Sequence, residues 1–232
     1  MGLVVTVVLV YLAVLVHELG HYLAYRRYGV PVFGFHVGGP PWLLRWKQGE
    51  TEYRLGLLPL FGMVLVRWED VERLPPGRLF AAFMAGPLFT FLAALSGFAG
   101  LAFLRGDPAL LLKIVKAALF LPVLVLESTY RVLFLDLPDA GAIPLVQATG
   151  EVVRLHGPEG ILLLWGVFNL VLFWFNLFPV PPLDGGQALF LLFKERRWFD
   201  RVYPYLLGFG GALMFALLEV AVLKDLVRLL GR

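Results

Sequence analysis

His17-Glu18-Leu19-Gly20-His21 sets two imidazoles four residues apart with a carboxylate beside the first. On a helix this spacing puts both rings on one face, one turn apart, where their nitrogens can share one tetrahedral zinc ion. Glu18 is placed to take a proton from an attacking water rather than to bind the metal. A hydrolytic zinc site needs a third protein ligand. His36 and His156 read as surface residues in loops, so an acid is the better candidate. Asp184 lies in Asn176-Leu-Phe-Pro-Val-Pro-Pro-Leu-Asp184-Gly-Gly186, with three prolines and two glycines at the end of an apolar stretch. Irregular backbone at membrane depth is tolerated only against protein or a water-filled cavity, and an acid there is a functional candidate. The same position also suits an N-cap for a helix over 187–193. Glu219 is the second candidate ligand, and it lies five residues before Lys224, where it could instead reach the membrane surface. Asn176 offers a donor and an acceptor to an extended peptide, or caps the helix that ends beside it.

The elements that must position these groups lie in a bilayer. Of 232 residues, 59% are hydrophobic and 16% charged, with a mean hydropathy of +0.80. A soluble domain carries roughly 25% charge, and about 20 apolar residues make one membrane crossing. The fold class this implies is an all-α polytopic membrane protein, one domain over 1–232, with four core transmembrane helices over 2–25, 79–104, 161–178 and 203–223. The first lacks the basic start and cleavage site of a signal peptide. Residues 110–135 are apolar but carry Lys113, Lys116, Pro122, Glu127 and Arg131, which predicts an interfacial or partly inserted helix. Turn signals at 38–41, 48–49 and 75–77 bracket extended segments over 51–57 and 62–68, which predict a small hairpin or sheet at the membrane face. The absence of cysteine excludes disulfides and thiolate chemistry. A net charge of +3 without a clustered basic face gives no nucleic-acid footprint.

Charge placement orients the spans. With the first helix leaving the membrane at Arg26-Arg27 into the cytoplasm, the loops before 79 and after 178 hold twelve of the twenty Lys and Arg residues. Four crossings with both termini outside satisfy the positive-inside rule, and a fifth crossing by 110–135 would invert Lys194, Arg196, Arg197 and Arg201. The HELGH motif then lies roughly 8–13 Å inside the cytoplasmic end of its helix.

Beyond these two motifs, the chain carries Gly34-Phe-His-Val-Gly-Gly-Pro-Pro41, Thr51-Glu-Tyr-Arg-Leu-Gly-Leu-Leu-Pro59 with Gly62, Ala85-Gly-Pro87 and Leu223-Lys-Asp-Leu-Val-Arg-Leu229. Along nearly its whole length it resembles the site-2 proteases, intramembrane zinc metalloproteases that cut membrane-spanning segments of other proteins. The resemblance implies one zinc held by His17, His21 and Asp184, with Glu18 as general base. It implies that Asn176 holds the substrate backbone and that the strand around Gly62, Met63 and Val64 pairs with an unwound substrate segment. Better-known bacterial members place PDZ domains between the second and third core spans, where only 105–159 stand here, so a compact form without them is expected. Phe61 replaces a usual glycine, and Thr90 replaces a usual asparagine.

The expected function is an intramembrane zinc endopeptidase of the bacterial cytoplasmic membrane, working near its cytoplasmic side. Its partners would be the bilayer and transmembrane substrates: anti-sigma factors, remnant signal peptides or membrane-bound regulators. The alternative is a catalytically silent membrane protein that holds single-span partners. A zinc transporter would need carboxylates along several spans, and there are too few.

Overall fold

A computed structural model describes residues 1–118, 120, 123 and 142–230. The elements run α1 (Gly2–Arg27), β1 (Val32–Gln48), β2 (Thr51–Val66), α2 (Trp68–Glu72), α3 (Pro76–Leu104), α4 (Pro108–Ala118), α5 (Ala142–Leu177), α6 (Asp184–Leu191) and α7 (Phe199–Leu230). Apolar sequence carries α1 unbroken to Arg26 and Arg27, whose charges complement the negative end of the helix dipole. Gly29 then takes φ 76°, which lets its N–H donate to Arg26 O and the Val30 N–H to Tyr25 O. This paired closure turns the chain sharply into β1. In α3, Pro87 supplies no N–H, and the buried Thr90 hydroxyl donates to the Pro87 carbonyl at 2.8 Å. In α5, Gly157 leaves helical geometry just before Pro158 and divides the element into two helical halves.

Helices α1, α3 and α5 are long and apolar enough to cross a membrane. They contain the expected spans over 2–25 and 79–104 and all but the last residue of 161–178, although α5 begins at Ala142, on a stretch that carried no helix expectation. The span expected over 203–223 lies inside α7, which is helical but not among those three. The helix expected over 110–135 is seen as α4 over its first part. Its remainder, apart from 120 and 123, lies outside the described residues. Leu111 and Ile114 of α4 pack against Ala94, Phe98 and Leu170, while Lys113 and Lys116 face outward.

The sheet is larger than the expected hairpin, because β1 continues through the Gly-Gly-Pro-Pro turn signals at 38–41. Both strands bend back on themselves. Residues 42–48 pair with 51–56 across the Gly49 turn, and 34–37 lie beside 52–55 on one side and 62–65 on the other. Residues 62–66 are therefore an edge, paired with β1 on one side only among the described residues. This sheet hangs from α1. The Tyr11 hydroxyl donates to the Gly56 carbonyl, the Tyr22 and Tyr53 hydroxyls meet at 3.0 Å, and Arg26 Nη1 donates to the Tyr22 hydroxyl at 3.0 Å. Phe35, Val37 and Val14 bury the surface between sheet and helix. A second core, including Tyr25, Val32, Val71, Leu79, Phe83, Leu191 and Phe199, joins α1, the sheet, α2, α3, α6 and α7 below it.

Candidate metal centre

Helical spacing gives α1 one face bearing His17, His21 and Tyr25, with Glu18 beside the first ring; all four are buried. That face meets α3 where neither helix has a side chain. A Cβ on Gly20 would lie 3.0 Å from Gly86 Cα, and one on Gly86 would lie 2.8 Å from His17 Cε1 and run into the His21 ring. The missing side chain at Gly86 is the space the two imidazoles occupy. His21 Nδ1 donates to the Ala82 carbonyl of α3 at 2.9 Å, leaving Nε2 as the bare lone pair that faces inward.

The third group arrives from the far end of the chain. The Phe178–Leu183 turn carries the backbone from α5 into α6, and Asp184 opens α6. Leu183 is the N-cap residue and no side-chain cap bond forms, so the capping role open to Asp184 is not the one it has. Its carboxylate turns toward the imidazoles instead. Asp184 Oδ2 lies 3.0 Å from His17 Nε2 and 3.2 Å from His21 Nε2, and the two Nε2 atoms are 3.3 Å apart. Ligand bonds of ~2.0–2.1 Å around a tetrahedral zinc separate the ligand atoms by roughly 3.3–3.4 Å. Two imidazole nitrogens and a carboxylate oxygen at nearly that spacing, all buried, form an acceptor-rich cluster that fits one zinc ion.

Glu18 stays outside this cluster. Its carboxylate makes no hydrogen bond among the described residues. It lies directly beneath Gly62, where any added Cβ would collide with it. Gly62 thus brings the open edge of β2 into backbone contact with the acid. Met63 and Val64 follow along that edge. All three line, with His17, Glu18, His21, Asn176 and Asp184, one cavity of about 550 Å³. Asn176 donates from Nδ2 to the Leu172 carbonyl at 3.0 Å, within its own helix, and its side chain still lines the cavity.

One sequence expectation is corrected and one candidate falls away. His36 is not a surface loop residue: β1 buries it against Trp42. Burial, and then the neighbouring Arg54 guanidinium, hold its pKa below the usual histidine range. Glu219 is exposed on α7 and does not belong to the metal cluster. His156 is exposed, as expected. Sequence reasoning missed Tyr25, Phe61, Trp68, Phe83 and Phe175, which also line the cavity. Of these, Tyr25 alone had a readable signal, lying four residues after His21 on the helix face that bears the two imidazoles.

Comparison with known proteins places the chain in a family. The family model described as peptidase family M50 matches residues 5–217. A protein of Treponema pallidum (strain Nichols), provisionally named a zinc metalloprotease, is 40% identical over 97 residues, covering 37% of this chain and 21% of the relative. One of the same provisional name from Thermotoga maritima is 36% identical over 93 residues, covering 34% of this chain and 19% of the relative. The zinc metalloprotease RasP of Geobacillus kaustophilus is 43% identical over 56 residues, covering 24% of this chain and 13% of the relative. The chain therefore spans well under a third of the length of each of these three relatives along the matched stretch. Because the family match runs from α1 into α7 and takes in both His17–His21 and the distant Asp184, the chain belongs to peptidase family M50, whose metal is zinc.

Proposed function

We propose that this chain is an intramembrane zinc endopeptidase of the site-2 type, hydrolysing peptide bonds in or near the transmembrane segments of other membrane proteins. One observation carries the reading: a zinc-sized donor set, an uncommitted carboxylate and an open strand edge share a single cavity between apolar helices. His17, His21 and Asp184 hold the metal. Zinc, when bound, supplies the Lewis acidity that makes water a nucleophile near neutral pH and polarises the peptide carbonyl.

The chain's own groups do the rest. Glu18 takes the proton from the attacking water and returns it to the departing amine nitrogen. The β2 edge over 62–66 adds the substrate as a further strand, and Gly62 brings that strand down onto Glu18. A substrate helix must unwind first, since its carbonyls and N–H groups are spent on one another. Asn176 holds the unwound backbone from the opposite wall. The apolar walls limit access of bulk water to the site.

In this reading α7 provides the fourth crossing, both termini lie outside, and the basic loops before α3 and after α6 lie in the bacterial cytoplasm. Anti-sigma factors, remnant signal peptides and membrane-bound regulators are the substrate classes to test first. Zinc per chain, measured in detergent for the wild type, Asp184→Ala and Glu18→Gln, is the decisive experiment. About one zinc in the wild type and in Glu18→Gln, largely lost in Asp184→Ala, is the expected pattern. Zinc indifferent to Asp184 removes the proposed ligand set. Cleavage by Glu18→Gln at the wild-type rate removes the proposed base.

A further inference from the structure

We infer that Tyr25 is a substrate-contacting residue whose phenol O–H donates to a carbonyl of the bound peptide beside the scissile bond. This rests on the protease reading above and adds a donor to it. Three observations place it there. Tyr25 follows His21 by one helical turn on the metal-binding face, and side chains on a helix lean back toward its N-terminus, here toward the metal cluster. Its ring is only 6% exposed, wedged in the core that joins α1 to α3 and α6, so its rotamer is fixed. Its oxygen, however, makes no hydrogen bond among the described residues and is not sealed off from the cavity it lines.

A buried tyrosine hydroxyl ordinarily finds a partner, because leaving one unpaired is costly. Here the chain supplies none, although the phenol lies within electrostatic reach of both Glu18 and Asp184. The space in front of it is the space a peptide would occupy. An extended segment added to the β2 edge directs half of its carbonyls away from the strand it pairs with. Once unwound, those carbonyls need donors, and most of the residues lining the cavity are apolar. Val71, Phe83 and Phe175 contribute no donor, Asn176 has spent one N–H on Leu172 and Gln187 one on Pro182, and the Trp68 indole sits on the far side of β2 in sequence, at the start of α2. Tyr25 provides an uncommitted donor on a rigid ring one turn from the imidazoles, at little entropic cost.

The test uses the zinc-loaded full chain in detergent and two probes: acetohydroxamate, which can reach only the metal, and N-acetyl-leucyl-leucine hydroxamate, which adds a peptide arm. Calorimetric Kd values are compared for the wild type, Tyr25→Phe and, as a control, Tyr203→Phe, a buried tyrosine of the same core that does not line the cavity. Tyr25→Phe is expected to weaken the dipeptidyl probe roughly threefold to tenfold, the worth of one neutral hydrogen bond. Acetohydroxamate binding, zinc content and melting temperature should not move, and Tyr203→Phe should change nothing. Equal affinity of wild type and Tyr25→Phe for the dipeptidyl probe overturns the proposal. So does parallel loss of both probes or of zinc, which would make Tyr25 a support of the metal site. A wild type that binds neither probe defeats the protease reading itself.

Discussion

The metal cluster and the sheet are fastened to the same helix by opposite means. The cluster depends on backbone contact: Gly20 and Gly86 let α1 and α3 touch, and the imidazoles fill the space that contact leaves. The sheet depends on long side chains, with tyrosine hydroxyls reaching from α1 to β2 and aromatic rings packed between them. Contact of the first kind tolerates no added atom. Contact of the second kind can lose one bond and survive. Sensitivity to mutation should therefore fall steeply from the cluster to the sheet.

Gly86→Ala should do the greatest damage. Its methyl group takes the space of two imidazoles, so we expect loss of zinc together with roughly 1–3 kcal/mol of stability, read from metal content and melting in detergent. A Gly86→Ala protein with full zinc would show that α1 and α3 are not held in contact. Gly62→Ala comes next. The three atoms its methyl group would meet first all belong to Glu18. Zinc should stay at the wild-type level while cleavage of a single-span substrate falls about 10²-fold, as for a misplaced general base. Concurrent loss of zinc would erase the distinction between the two regions.

The sheet predictions are smaller. Tyr53→Phe removes one hydroxyl from the Tyr22 pair and should cost about 0.5–1.5 kcal/mol, visible as faster amide exchange in β2 with zinc unchanged. The smallest effect is on pH. With its pKa lowered in the folded chain, His36 binds its proton more readily when unfolded. Its penalty is absent above the unfolded value of about 6.5 and grows as pH falls below it toward the folded value. The protection factors of the β1 amides, exchange rates corrected for the intrinsic pH dependence, should therefore fall below about pH 6.5. His36→Gln should flatten that response, and an unchanged pH profile would return His36 to a plain structural role.

The grouping of His17, His21 and Asp184 was legible in the sequence because such residue types have few other reasons to lie in apolar segments. His17, Glu18, His21 and Asp184 announced themselves by cost, and three spans announced themselves by length. What stayed hidden depends on chain direction rather than residue type. The turn residues at 38–41 look like the end of a strand, yet β1 bends through them and continues. The first half of α5 contains Pro144 and several polar residues, and its helicity comes from packing against α1, where Gly2 meets Gly150. His36 reads as a surface loop residue because no strand is expected before 51, whereas β1 already runs through it from Val32. Phe61, Trp68 and Phe175 look like any apolar residue until the cavity between them is seen.

Because the sheet is suspended from α1, the proposed base Glu18 and the proposed substrate edge ride on one carrier. Tyr11 and Tyr22, about three helical turns apart along α1, grip β2 at Gly56 and Tyr53, just ahead of the segment that leads to Gly62. In the proposed reading, traction on a captured segment would pass into the helix bearing His17, Glu18 and His21 rather than prise sheet and helix apart. Sheet and α1 would act as one fixed jaw.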